Sequence, residues 1–586
     1  MQRQTWIGLF LITLLMFLWT LWLARSSAPT PSASERDTTQ IQSAVKKDTS
    51  LTSLMDSAAL RARFGAYAPF VKGGDSLFSV ETQYAVFEFG TRGARLHRYL
   101  LKGFHAQKSQ PLYLWDSLHK HAFLFAEGRT IISSEQLFFS LIYAPKGPIL
   151  SGEDSVVFRL SLAPDTFIQV TYYIPAKSYH FRSSVAFHGM RGRLRNPYIV
   201  QTITYETPQT EPSSEAMRPY CALYYRQADE VESVTPDEEE RIQKVLQGRI
   251  RWVSAKGQFF CALFQAEEAF SSAILTSLPY TNLPKYQIEL QLPLHNDRAQ
   301  QQWYLGPTRY TLLRSYKEGY EQQLNLGWSF IRYINTGFII PVFAFLEKYI
   351  ASYGIIITIL ALLVKIILSP LTWRSYLLGA RMQIINELPE VKALEEKYKD
   401  DPNKLMIERS LLYQQLGVNP LSGCVPLLLQ IPIFFAMTSF FPNAFELRQK
   451  SFLWTHDLSS HDTLISWGVD IPLIGDHLSL FALLTALSTL AYTYFTQQGQ
   501  SSTLPSLKWL PYLTPVIFFF FLNGYSSALS WYYFVLNVLT IVQTILMKRF
   551  INKEELIRKL RDTQRKKQNK AQIAQQRARL RQWMKR

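Results

Sequence analysis

Cysteine is scarce. Three cysteines in 586 residues, Cys221, Cys261 and Cys424, exclude a disulfide-dense secreted scaffold. Cys424 lies in an apolar run, an unfavourable place for a bridge, whereas Cys221 and Cys261 can pair if they face an oxidising compartment. Also missing are a Walker motif, a dinucleotide-binding glycine fingerprint, HExxH and CxxC. Nothing therefore points to a built-in ATPase, dehydrogenase or zinc site, and no catalytic residue, cofactor or metal is expected. Charge is the third shortage. Charged residues make up 18% of the chain, below the usual ~25%, and the deficit is concentrated in a few segments.

Those segments read as membrane spans. Trp6 to Leu23 is almost wholly apolar, and eighteen residues at about 1.5 Å each nearly cross a hydrocarbon core of about 30 Å. An uncleaved anchor is favoured over a cleaved signal peptide, for which Ser26-Ser27-Ala28 supplies small residues, because the apolar stretch exceeds a typical signal core. Tyr349 to Val364 and Ile366 to Trp373 are uncharged on either side of Lys365. Ser410 to Phe445, Leu478 to Phe495 and the 39 residues from Trp509 to Met547 are uncharged as well. The last block holds two helices folded about Asn523-Gly524-Tyr525-Ser526-Ser527, which makes six crossings in all, helical because hydrocarbon cannot satisfy irregular backbone.

Basic residues orient these spans. Residues 374–409 carry seven Lys/Arg, residues 442–476 carry two against five acids, and the tail after Met547 carries 15 against three. The tail's +12, most of the chain's +17, belongs in the cytoplasm. Both termini and residues 374–409 then lie inside, and residues 442–476 lie outside. Residues 26–60, rich in Ser, Thr, Pro and Gln, read as a tether. From 61 to 330, short period-two segments such as Ser155 to Leu162 and Tyr286 to Leu292 predict an antiparallel β-sandwich on the outer side. Within the cytoplasmic segment, Met382, Ile385, Leu388, Val391, Leu394 and Tyr398 mark one helical face. A break at Asp400-Asp401-Pro402-Asn403 precedes a second helical pattern, so 374–418 reads as a helical hairpin. It is either a loop held by pairs such as Glu395 with Lys399 or a mobile docking element.

Lys365 is the most informative residue. A lysine at the centre of a span costs roughly 2.5–3.5 kcal/mol, yet this one lies about five residues, or ~7 Å, from the cytoplasmic end and can snorkel. Polar residues in other spans support a different reading: Gln430, Thr514 and the series Asn537, Thr540 and Gln543, whose spacing of three places them on one stripe. Such groups either join helices or line a wet cavity with Lys365 as its fixed charge. Trp531, Tyr532 and Tyr533 form either an interfacial belt or a greasy surface along which an apolar segment leaves for lipid.

Several strings carry a resemblance: Ile366-Ile367-Leu368-Ser369-Pro370-Leu371-Thr372, Asn419 to Phe434, Phe445-Glu446-Leu447-Arg448, Trp454 to Ser459, Leu513-Thr514-Pro515-Val516, and Trp531 to Gln543. In them, over about 350–550, the chain resembles the YidC-type membrane-protein insertases in their Gram-negative form. Arg251-Trp252-Val253 and Tyr304-Leu305-Gly306-Pro307 are similar to the end of that family's periplasmic domain. The resemblance implies a multi-pass α-helical inner-membrane protein: anchor 1–25, tether 26–60, periplasmic β-sandwich 61–330, five-helix insertase core 331–547 with the hairpin 374–418, and basic cytoplasmic tail 548–586. It implies a hydrophilic groove charged by Lys365, where the family usually has arginine, with Gln430 on a groove position, and on the wet-cavity reading Thr514, Asn537, Thr540 and Gln543 complete its lining. By the resemblance Tyr532 and Tyr533 fall where the family contacts substrate helices, and on the greasy-surface reading Trp531 joins them as a substrate-slide contact.

The partners implied are nascent membrane proteins, the general secretion channel with its accessory subunits, and the ribosome or anionic lipids at the tail. No nucleotide is used by the insertase itself. Two rival readings remain: an anion-coupled transporter or channel using Lys365 as counter-charge, and an envelope-assembly scaffold acting through the β domain.

Overall fold

The computed structural model describes residues 57–106, 110–398, 401–415, 425–471, 474–497, 510–550 and 557–558. The expected anchor, most of the tether and most of the tail lie outside these residues, as does Cys424. The chain forms two compact units that divide between Gln323 and Leu324.

The first unit is antiparallel β structure, and its sequence alternation explains why. The strands Tyr198–Glu206 and Lys285–Pro293 each bury every second residue and pair along their whole length, so one face of each enters a core while the other stays wet. The sheets are unequal, which departs from a simple sandwich. A four-stranded sheet formed by Leu77–Glu81, Ala85–Gly90, Arg95–His105 and Pro111–Trp115 accompanies a curled sheet of thirteen strands among the described residues. Sheets of more than about ten twisted strands curl rather than stay open. Here the 19-residue strand Phe260–Leu278 pairs with three neighbours, and the register against Ile242–Lys256 shifts around Gln247, Ile250 and Trp252; such irregularities bend a strand and increase its twist.

The two sheets share an aromatic core. Phe87 packs edge-on against Phe181, Phe89 tilts against Tyr172, and the Tyr172 hydroxyl donates to the Ala94 carbonyl at 2.9 Å. Trp303, 1% exposed, meets Trp115, His121, Phe181 and Phe264. Its indole N–H donates to Ser183 Oγ at 2.9 Å, so its polar edge is satisfied as its rings are buried. Cys221 and Cys261 are both free and buried. Cys221 immediately precedes the strand Ala222–Gln227, Cys261 lies on Phe260–Leu278, and Ile242–Lys256 runs between these strands. Two strand spacings are about 9.6 Å, beyond the reach of a disulfide.

The second unit is helical. The segment Ser329–Glu347 (α1) is long and apolar enough to cross a membrane, as are residues 353–374 of Tyr353–Glu387 (α2) and Ser527–Phe550 (α8). Among the described residues this unit also has the α-helices Pro389–Lys397 (α3), Pro402–Gln415 (α4), Val425–Phe440 (α5), Leu480–Gln497 (α6) and Leu510–Asn523 (α7). Arg332 and Glu347 confine the uncharged run of α1 to residues 333–346, so charge depletion alone does not mark it as a span. Inside it, residues Asn335–Ile339 adopt a π-helical turn, and the Asn335 amide donates to the carbonyls of Leu326 and Ala436.

The pattern read as one amphipathic helix over 374–399 is divided. α2 continues to Glu387, Leu388 turns extended (φ −64°, ψ 141°), and α3 starts at Pro389. Proline disfavours helical backbone in the residue before it and is well tolerated at a helix start. Ile384, Ile385 and Val391 still share a small core with Tyr413 of α4.

A polar latch closes one end of the bundle. Asn523 Nδ2 donates to the carbonyls of Ile474 (2.7 Å) and His477 (2.8 Å), and its Oδ1 accepts from the Ser479 amide at 2.8 Å. Ser479 Oγ caps α6 by accepting from the Ala482 amide at 3.0 Å. Buried Asp462 accepts from the amides of Leu480 (3.0 Å) and Phe481 (3.1 Å) and from the Trp454 indole (2.9 Å). A carboxylate at a helix N-terminus satisfies otherwise orphaned donors. Asn523→Ala would strand these partners at a cost of about 1–3 kcal/mol. The helical unit's thermal midpoint in detergent should then fall by several degrees, and an unchanged midpoint would argue against the latch.

Acid sensitivity follows from the β unit. His121 is buried among Trp115 and Trp303, and its Nε2 accepts from the Leu96 amide at 2.9 Å. Burial pushes its pKa from 6.5 down to about 3. The unfolded chain therefore binds the proton first as pH drops. Stability is full above about 6.5 and declines toward 3, by up to about 1.4 kcal/mol per pH unit from this group. Thermal unfolding of the full chain followed by tryptophan fluorescence should show a midpoint that falls with pH across this window, less steeply in His121→Gln. Identical slopes would contradict the assignment.

Candidate functional site

Apolar helices supply few polar groups, so each group's partner shows what it does. On α2, Gly354, Thr358, Lys365, Ser369 and Thr372 are separated by four, seven, four and three residues, which keeps them on one face of a helix. Both ends of that face meet α8. The Trp531 indole donates to the Gly354 carbonyl at 3.2 Å and to Thr358 Oγ1 at 3.1 Å. Gln543 Nε2 donates to Thr372 Oγ1 at 3.0 Å and Ser369 Oγ at 3.4 Å. α2 and α8 therefore run side by side in the same direction, with Lys365 on the shared stripe between the two contacts.

Lys365 is half-buried, and it has no ion pair among the described residues. The next two residues, Ile366 and Ile367, are each 58% exposed and turn outward from the bundle. An ammonium in a low-dielectric setting without a fixed counter-charge exerts a stronger pull on an incoming anion than it would in water.

The series Asn537, Thr540 and Gln543 does not form a single stripe. Each step of three residues falls about 60° short of a full turn, so two steps separate the ends by about 120°. Asn537 Nδ2 accordingly bonds α6, donating to Thr489 Oγ1 at 2.8 Å and Ser488 Oγ at 3.0 Å, while Gln543 bonds α2. Thr540 is half-buried and donates to the Leu536 carbonyl of its own helix at 2.6 Å. Gln430 on α5 and Thr514 on α7 are exposed. Neither is joined to Lys365 by a hydrogen bond among the described residues.

The aromatic trio is packed inward. Tyr532 is fully buried against Phe441, and its hydroxyl lacks a partner among the described residues. Tyr533, 4% exposed, lies against Phe434 of α5 and Phe518 of α7 and donates to the Phe434 carbonyl at 3.3 Å. Trp531 adds ring contacts with Phe452 and Phe481. Tyr533 thus sits on a seam where α5 meets α8. Two groups that organise this unit were not singled out from sequence: Asp462, one acid among several in a loop, and Asn523, read only as part of a turn. Asp462 lies 18 residues ahead of Leu480 with Asp470 and Asp476 between them, so its capping role depends on the fold of the loop and not on a local sequence signal.

Similarity to known proteins follows the same division of the chain. Residues 77–338 match the family described as YidC periplasmic domain, and residues 345–555 match that described as 60Kd inner membrane protein. The membrane protein insertase YidC of Amoebophilus asiaticus is 32% identical over 581 residues, covering 97% of this chain and 96% of the relative. That of Parabacteroides distasonis is 30% identical over 619 residues, with 97% and 96% covered. A solved structure, an active YidC insertase with its first transmembrane domain resolved, is 17% identical, covers 80% of this chain and 92% of its own, and has a TM-score of 0.32. The chain belongs to the YidC family of membrane-protein insertases, multi-pass inner-membrane proteins with a large periplasmic β-rich domain that insert nascent membrane proteins and assist their folding.

Proposed function

We propose that this insertase receives the hydrophilic flank of a nascent protein in a cytoplasm-facing groove charged by Lys365. The observation that carries this reading is the position of that ammonium: half-buried and without an ion pair among the described residues, on a stripe continued by Ser369, Thr372 and Gln543. Gln430 and Thr514 extend the polar lining on α5 and α7. Thr540 contributes if its hydroxyl turns from its own helix, and Asn537 holds α6 against α8. Acidic flanks are drawn toward Lys365, and the membrane potential adds about 2.3 kcal/mol per charge at 100 mV. Lysine supplies the charge without the two-pronged hydrogen bonding of arginine, which suits a site that must release its client.

The client's apolar segment leaves along α5 and α8. In the closed arrangement Tyr532 and Tyr533 back the seam between these helices, and client contact at Trp531, Tyr532 and Tyr533 requires the seam to part. Both termini are cytoplasmic. The basic tail engages the ribosome or anionic lipid, and the secretion channel with its accessory subunits is a partner in channel-assisted insertion. Family membership and the charge distribution support these assignments.

The test uses liposomes containing the purified full chain and single-span clients synthesised in vitro, scored by protease protection of the translocated flank. Lys365→Ala should reduce insertion of an acidic-flank client about tenfold, the equivalent of about 1.4 kcal/mol, and of a neutral-flank client less than twofold. Lys365→Arg should retain both activities. Equal rates for both clients in Lys365→Ala and wild type would refute the electrostatic role.

A further inference from the structure

At one end of the bundle two short segments hold α6, α7 and α8, and a pair of histidines joins the segments. Residues 458–460 hold the start of α8: the amides of Ser527 and Ala528 donate to the carbonyls of Ser460 (2.7 Å) and Leu458 (3.0 Å). The strand Gly475–Leu478 holds the end of α7, because Asn523 Nδ2 donates to the His477 carbonyl at 2.8 Å. His461 follows the first segment, and His477 lies on the strand. Their rings stack, with 3.7 Å between centroids and 17° between planes. His477 is buried and His461 half-buried.

The hydrogen bonds of His477 fix its proton count. Nε2 lies 2.9 Å from the Asn523 carbonyl oxygen, and Nδ1 lies 2.8 Å from Asp476 Oδ1. A carbonyl only accepts, so Nε2 carries a proton. An ionised carboxylate also only accepts, so the Nδ1–Oδ1 contact needs a second proton, whichever of the two groups holds it. Among the described residues, the charged and titratable groups around the pair are Asp476 on the strand and buried Asp462 beside His461. α7 contributes Asn523 and α8 Ser527, both neutral. Burial, and then the charge of His477, push His461 from 6.5 down to about 4. Two imidazolium rings stacked face to face repel, so the pair accommodates the proton between His477 and Asp476 but not another on His461.

We propose that His461 and His477 form a pH-sensitive clasp, closed by one proton between His477 and Asp476 and loosened by losing that proton or by placing another on His461. The grip on the ends of α6, α7 and α8 then follows the pH of the compartment that they face. That compartment is the periplasm on the topology proposed above, whereas the clasp itself does not rest on that topology. On the acid side the open clasp binds the His461 proton first, so this contribution is full above about 6.5 and declines toward about 4. On the alkaline side the contribution of the shared proton is present while it stays bound and is lost as rising pH removes it.

The experiment follows amide hydrogen exchange at Ser527 and Ala528 in the full chain in detergent by mass spectrometry, each rate divided by that of an unstructured peptide at the same pH. The first amides of a helix have no partner within it, so protection there reports the grip of residues 458–460. Protection should be greatest near about pH 6.5 and at least about fivefold lower near both about pH 4.5 and about pH 8.5. Asp476→Asn supplies an amide that donates to Nδ1, so a neutral His477 keeps both bonds and the alkaline loss should vanish. His461→Phe keeps a stacked ring that cannot be charged, and there the acid loss should vanish. His461→Gln makes the same comparison without the larger ring. A wild-type profile independent of pH would overturn the proposal. So would an alkaline loss unchanged in Asp476→Asn, or an acid loss unchanged in both His461 variants.

Discussion

Polar groups carried into hydrocarbon must find partners within the protein, and this constraint organises the helical unit. Asn523 joins the end of α7 to the start of α6, Asn537 ties α8 to α6, and Gln543 ties α8 to α2. Each bond consumes hydrogen-bonding capacity that lipid could not serve. Lys365 differs because its stripe is fastened to α8 at either end while its own charge lacks an ionic partner among the described residues. A bundle this economical with polar groups places a charge there at a cost, and in the proposed mechanism a client's acidic flank is the partner that offsets it.

The β unit solves a simpler problem. Its alternating strands bury aromatic rings between two sheets, and buried polar edges such as the Trp303 indole and His121 find hydrogen bonds within that core. Period-two alternation made the strand class legible from sequence, but the division into four and thirteen strands was not. Sheet curvature arises from long strands and register shifts, and a local hydrophobic pattern does not encode those. The separation of Cys221 from Cys261 was equally invisible, because it depends on which strand lies between them.

In the membrane unit, uncharged runs marked most helices, and the turn at 523–527 followed from its residues. The uncharged-run criterion passed over α1, whose Arg332 lies among otherwise apolar turns, and joined α2 to α3 because amphipathic spacing continues through Leu388. Proline at 389 was the local signal for that break. At the candidate site, the isolation of Lys365 within an uncharged run was legible in the sequence, whereas the approach of Gln543 to its helix depends on how α2 and α8 pack. The different directions of Asn537 and Gln543 follow from helical geometry once the drift of repeated three-residue steps is counted. That Tyr532 and Tyr533 face inward depends on the tilt and rotation of α8, which neighbouring helices determine.

The central claim is that water reaches Lys365 from the cytoplasm within an otherwise apolar span. The most direct measurement is the reaction of a small, water-soluble thiol reagent with Lys365→Cys in inside-out membrane vesicles, compared with Ile367→Cys on the outward face of the same helix. A wet recess predicts modification at position 365 at least tenfold faster than at 367, slowed when an acidic-flank client is bound. Equal and negligible reaction at both positions would show that lipid or packed side chains surround Lys365, contradicting the account.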